Sequence, residues 1–251
     1  TILTPDSYLF LPELVFDAGG NWKRFSSFTD KVSLRASLRD SDIHTKTLSY
    51  FIPGLSRNSD ILLKKTELTF SGPINDFAGE LINLSTGDTR IYGSYALKGV
   101  TDIRSVSFDL DLPNITTDGL SLQHILYELS SEQPDSILNN IFMSAGDINI
   151  ALKAAGAVSN FDAQLNLLSG LGNIGADAKA GWEQERGLGF EGDVGVESLD
   201  ARTILEAESL GFVSLSGKIR GLIARNNFSA NGNLGIQQFQ FNDYSYGNIW
   251  I

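Results

Sequence analysis

Gly170-Leu171-Gly172-Asn173-Ile174-Gly175 carries the letters of a dinucleotide-binding turn, in which glycines let the backbone wrap a pyrophosphate where a helix begins. That chemistry needs the third glycine to open a helix. Ala176, Ala178 and Ala180 instead continue at period two, so the segment reads as a glycine-rich hairpin. His44 and His124 stand near two helix starts, without the spacing that holds zinc or activates a nucleophile, and capping or exposed polar roles suffice. Asp109 and Asp111 could be imagined as a calcium pair or an acid/base couple. Their alternation with Phe108, Leu110 and Leu112 makes a solvated outer face the simpler reading. Glu183-Gln184-Glu185-Arg186 reads as an exposed turn, and Asn83, Asn114 and Asn227 open short Asn-x-Ser/Thr triplets that carry little weight in a polar, strand-rich chain. No nucleophile, base and oxyanion donor come together, so no catalysis, metal or cofactor is expected.

The elements that must position these residues are strands. Apolar side chains recur at Val106, Phe108, Leu110 and Leu112; at Ile148, Ile150 and Leu152; at Phe161, Leu165 and Leu167; and at Val213, Leu215 and Ile219. This alternation predicts half-buried strands of an antiparallel sheet, and Thr86-Gly87-Asp88 and Gly99-Val100-Thr101-Asp102 punctuate it as turns. The glycine- and alanine-rich stretch Gly172–Gly195 is a candidate bend, with thin, twisted or bulged strands. Asn231-Gly232 resembles a hairpin turn, yet Phe228, Ala230, Gly232, Leu234 and Ile236 read as one continuing strand face.

Three short helices interrupt the strands, capped by Thr45, Asp118 and Asp200. The first runs through Leu48, Phe51 and Ile52 to Pro53-Gly54. The second carries Leu122, Ile125, Leu126 and Leu129 on one face, and the third carries Ala201, Ile204 and Leu205 and ends near Gly211. Asp135–Met143 is too brief to decide between a fourth helix and a loop. A repeated grammar, Gly-x-Ile/Val followed by Phe, occurs at Gly72 with Phe77, at Gly156 with Phe161 and, with two extra residues, at Gly221 with Phe228. It predicts one supersecondary unit used three times, over about 42–117, 118–197 and 198–251, within one continuous β-rich body.

Composition narrows the partners. The 251 residues are 42% hydrophobic and 20% charged, enough apolar mass to fold. With 19 basic and 30 acidic residues the formal net charge is −11, which argues against nucleic acid and against anionic headgroups, leaving lipid tails as the lipid contact. Cysteine is absent, excluding disulfides and thiolate chemistry, and no apolar run is long enough for a spanning helix. The final Tyr244–Ile251 reads as a strand cut in mid-pattern, so the chain is expected to be part of a longer protein.

Three stretches carry a family likeness: Thr66-Glu67-Leu68-Thr69-Phe70-Ser71-Gly72; Thr89-Arg90-Ile91-Tyr92-Gly93 with Leu97-Lys98-Gly99-Val100-Thr101-Asp102; and Phe239–Ile249. Their order resembles the TamB family, the translocation and assembly module subunits, in the form of Bacteroidetes-like envelopes, within the wider AsmA-like group. The likeness runs from the helix after Asp42 to Ile251. It implies an elongated, curled antiparallel sheet with an apolar inner trough, a β-taco or groove-like solenoid. It also implies a periplasmic setting, an inner-membrane anchor elsewhere in the protein, an Omp85-class outer-membrane barrel as partner, and a part in phospholipid passage and in assembly of nascent outer-membrane proteins.

The expected function is thus a groove that shields phospholipid acyl chains. Its lining is expected to be Ile91, Tyr95, Leu97, Val106, Phe108, Leu110, Leu112, Phe161, Leu165, Leu167, Leu234 and Ile236, with Leu122, Ile125, Leu126 and Leu129 as a helical plug or lip. A closed β-sandwich or solenoid that docks client proteins has the same alternation, because a core-facing and a tail-facing residue look alike in sequence.

Overall fold

The structure, a computed structural model, describes residues 1–48, 60–102, 105–130, 136–183, 187–224 and 227–250. It divides into two compact units, Thr1–Thr116 with His124–Glu132, and Thr117–Gln123 with Gln133–Ile251.

The first unit opens with β1 (Ile2–Leu3) and β2 (Tyr8–Asp17). A 3-10 helix (Trp22–Ser27) and a one-turn α1 (Phe28–Lys31) lead into β3 (Ser33–His44) and α2 (Thr45–Leu48), and β4 (Leu62–Pro73), β5 (Asp76–Thr86), β6 (Thr89–Lys98) and β7 (Ser107–Asp118) follow. Each strand pairs antiparallel with its neighbour in sequence, the natural product of short turns between alternating segments. The chain then forms α3 (Gly119–Ser130) and α4 (Ser136–Ser144).

The second unit repeats the arrangement. Here β8 (Asp147–Ala157), β9 (Asn160–Ser169), β10 (Gly172–Glu183) and β11 (Gly187–Asp200) form a meander; α5 (Ala201–Leu205) intervenes; β12 (Leu210–Ala224) and β13 (Asn227–Phe241) complete it, and the short β14 (Tyr244–Tyr246) and β15 (Ile249–Trp250) both pair with β13. The fold is all-β with short helices, its strands belong to one sheet, antiparallel throughout, and in neither unit does that sheet close on itself. A helix followed by four strands recurs, α2 before β4–β7 and α4 before β8–β11.

Several expectations need correction. Gly172–Gly195 carries no bulge among the described residues: β10 holds unbroken register with β9 and β11 across it. The irregularities sit instead in β2 around Phe10, in β3 near Asp40, in β4 near Lys65, in β5 between Leu81 and Leu84, in β7 at Leu112-Pro113, in β11 at Glu197-Ser198, in β12 between Leu210 and Val213 and in β13 between Ile236 and Gln238. Asp40, Lys65 and Ser198 have positive φ there, the backbone signature of an extra residue in a ladder. The third repeat glycine also departs from the pattern. Gly72 lies in the hairpin that ends at Phe77, and Gly156 pairs with Phe161, but Gly221 pairs with Ala230 and faces Phe190 of the preceding strand. Asn231-Gly232 lies within β13 without a turn, as the continuing face predicts. Helix α5 stops at Leu205 with Glu206 in a left-handed cap, well short of Gly211. Phe51, Ile52 and Pro53-Gly54 lie outside the described residues, as do most of Glu183–Arg186.

Candidate functional site: one apolar face in each unit

Because partners in an antiparallel ladder point to the same side, register turns a list of strands into two surfaces. In the second unit one surface is apolar without exception through four cross-strand rows. The first is Ile150, Leu167, Ile174, Val196, Leu215 and Ile236; the second is Leu152, Leu165, Ala176, Val194, Gly217 and Leu234. The third is Ala154, Ala163, Ala178, Gly192, Ile219 and Gly232, and the fourth Gly156, Phe161, Ala180, Phe190, Gly221 and Ala230. Beyond them Trp182, Leu188 and Ile223 continue the face, with Trp182 57% exposed. Large residues fill the first row, small ones all of the third except Ile219, and Phe161 and Phe190 restore bulk in the fourth.

The opposite surface carries charge and amide. Asp162, Lys179, Glu191, Arg220 and Asn231 form one row of it, and Lys218 meets Asp193 at 3.8 Å in the next. Open recesses lie on this polar side, where Gly175 pairs with Gly195 and Gly181 with Gly189 and no side chain fills the surface. Their lining mixes acids, bases and amides, and among the described residues no group of three His, Cys, Asp or Glu could hold a metal ion.

Among the described residues, helices α3, α4 and α5 pack on the apolar face beside the first row. Ala145, Ile148 and Leu171 are buried there, packed by Leu122 of α3, Ile141 of α4 and Ile204 of α5 together with Ile150 and Leu167. Farther along, Phe161, Leu165, Ala176, Val194 and Phe190 are only half-buried. Among the described residues each strand of this unit has its ladder neighbours as its main strand contacts.

The first unit has the same two-sidedness. Leu97, Phe77 and Phe108 share its apolar face, as do Tyr95, Gly79 and Leu110, with Leu34, Ala36, Leu68, Phe70 and Leu81 on neighbouring strands. Ile91 pairs with Leu84 and Ile115 on the far side of the bulges, and Leu112 is buried. Val106 is half-buried, just ahead of β7. On the other face Asp109 pairs with Ala96 and Asp111 with Ser94, so the two aspartates are placed away from the apolar lining.

Tyr95 has a structural task besides. Its ring crosses Gly79 to donate its hydroxyl to the Thr69 carbonyl at 2.8 Å, in space that a Cβ on Gly79 would occupy. Burial pushes the phenol up to about 12. Phe70 and Phe77 stack beside it with centroids 4.5 Å apart.

Of the helical residues, Leu122 packs on the second unit's sheet, Ile125 is half-buried, Leu126 is 46% exposed, and the Leu129 side chain lies outside the described residues. Asp118 and Asp200 cap as expected, whereas Thr45 does not. Thr45 is itself the first residue of α2, and its hydroxyl donates to the Ile61 carbonyl at 3.2 Å. The cap belongs to His44, whose Nδ1 accepts the Lys46 N–H at 3.1 Å while Nε2 meets Asp60 at 2.9 Å. That hydrogen bond and the nearby Lys46 hold Asp60 below the usual carboxylate range. His124 is exposed.

Phe190, Val194 and Val196 of β11 and Leu81 of the first unit belong to these faces although no motif marks them, and Phe70 and Phe77, which stand in motifs, join them. Their signal was a period-two pattern thinned by glycine at Gly189, Gly192, Gly195 and Gly79.

No protein-family model matches the chain, and neither a curated protein nor a solved structure was found to match it.

Proposed function

We propose that each apolar face is a binding surface for phospholipid acyl chains, shielding tails from water in a single-layered trough. The observation that carries this reading is the unbroken apolar ladder of the second unit, left half-exposed beyond the helices. Soluble proteins rarely leave a contiguous apolar patch beyond a few hundred Å² uncovered, so such a face calls for an occupant. Each methylene taken from water is worth about 0.8 kcal/mol, and near-equivalent rows let a tail shift between them at little net change. The helices at the first row act as a stop at one end, with Leu122 as the α3 contact.

On the family likeness alone rest the further proposals of a periplasmic setting, an inner-membrane anchor, an Omp85-class barrel partner and a role in outer-membrane protein assembly. Native mass spectrometry and lipid extraction of protein purified without detergent test the binding. Co-purified phospholipid, and uptake of fluorescent phospholipid by the stripped protein, are expected; a lipid-free monomer that takes up no phospholipid removes the proposal.

A further inference from the structure

We infer that the 3-10 helix Trp22–Ser27 and α1 of the first unit form a docking surface for an anionic phospholipid bilayer. Trp22 is 82% exposed and stacks on Phe25 with centroids 5.5 Å apart. Phe25 stacks on Phe28 at 6.1 Å, and Phe28 leans on Phe16 of β2 at 5.9 Å. This aromatic ladder ends in water at its outermost and largest ring, where an isolated protein gains nothing from it.

The same turn collects cations. Lys23, Arg24 and Lys31 line an open recess with Asn21 and Asp30. The Asp30 carboxylate already accepts Asn75 Nδ2 at 2.9 Å and the Thr29 hydroxyl at 3.1 Å. Among the described residues no ion pair engages Lys23, Arg24 or Lys31, although the chain as a whole carries −11. The segment is held for presentation: Asn21 Oδ1 caps the turn by accepting the Lys23 N–H at 3.0 Å, fully buried Val32 closes α1 by donating its N–H to the Phe28 carbonyl, and the Thr29 carbonyl accepts the Asn75 N–H between β4 and β5 at 2.8 Å.

Exposed indole and phenyl rings beside unpaired cations fit one partner chemistry, a phosphate-bearing interface overlying an apolar layer. Soluble polyanions would use the cations and leave the rings in water. The negative charge of the whole chain thus conceals a local surface of opposite sign, and the exclusion of anionic headgroups drawn from net charge does not extend to this turn. The inference stands independently of acyl-chain binding by the trough.

The test is co-sedimentation of the whole protein with vesicles of phosphatidylcholine alone and of phosphatidylcholine mixed with phosphatidylglycerol. Binding is expected to the mixed vesicles and to weaken with salt. Each cation at an anionic surface is worth about fivefold in partitioning, so Lys23→Glu with Arg24→Glu should lower it at least about 25-fold. Trp22→Ala should lower it about tenfold, since its indole leaves water only on the bilayer. Both variants should keep the parent melting temperature and the parent uptake of fluorescent phospholipid, because these side chains stand in solvent. Equal binding to neutral vesicles, unchanged binding by the variants, no binding at all, or full competition by soluble glycerophosphoglycerol each overturns the inference.

Discussion

At Asp118 one carboxylate oxygen accepts the Ser121 N–H at 2.9 Å and the other accepts the Ser121 hydroxyl at 2.8 Å; at Asp200 the same two bonds go to Thr203 at 3.1 and 2.8 Å. The backbone N–H bond is the main reason that both carboxyls sit below their ordinary range. A carboxyl depressed by folding adds stability above its unfolded value of about 3.9, and that stability is lost as pH falls through the folded value. Asp118→Ala or Asp200→Ala should therefore cost about 1 kcal/mol at neutral pH in urea unfolding, and less at about pH 3. Asn at either position keeps an acceptor without a titrating proton, so its variants should lose less stability on acidification than the parent does. Parallel acid profiles for parent and Asn variants would show that these caps are not the titrating source. The two aspartates were legible because each stands three residues ahead of a hydroxyl and just before an apolar helical face. The capping role of His44 was legible as well, but the bond of its other nitrogen to Asp60, sixteen residues on, was not. Nor was the Tyr95 hydroxyl bond to Thr69, which exists only because three strands lie side by side.

Among the elements, alternation made most strands readable, since a period of two has few other causes. What it could not supply was register, and register decides where bulges fall. The glycines show the limit clearly. Gly156 sits at φ 140° with a Cβ position crowded by Phe161 and the Asn160 carbonyl, whereas Gly195 has open space and no left-handed backbone. In sequence both are merely glycines in strands. Gly156→Ala should cost more than about 1 kcal/mol, because strain and the clash with the neighbouring strand add. Gly195→Ala should fall within about 0.5 kcal/mol of the parent in the same thermal and urea measurements. If the two substitutions prove equally mild, close strand approach at the repeat glycine is not what the sequence preserves there. The region before Asp42 was the least legible. Its β2 carries Leu14, Val15 and Phe16 consecutively, which blurs the two-residue period, and its helical turns are too short to show a face.

At the scale of the molecule, surface is the quantity that links fold to function. In the second unit the apolar face stays open to solvent, with Trp182 57% exposed and Phe161, Leu165 and Val194 half-buried. A ligand that covers such a face adds binding free energy to stability, so lipid loading should raise the melting temperature, and further as free lipid rises above its Kd. The trough reading assigns that gain to one side of the sheet, and neighbouring residues on β9 separate the sides. Leu165 lies in the second apolar row, whereas Gln164 is on the polar face, donating to Asp177 at 3.1 Å. Leu165→Lys places a charge where tails would lie and removes a side chain worth about 1.5–3 kcal/mol when fully covered, so phospholipid uptake should fall about tenfold or more. Gln164→Lys adds the same charge one residue away and leaves the apolar ladder intact, so uptake and lipid-dependent stabilisation should match the parent. Circular dichroism on both stripped variants separates lost binding from lost folding. Should the two lysines lower uptake alike in folded protein, the effect is one of charge and not of face, and acyl chains do not lie on this side of the sheet.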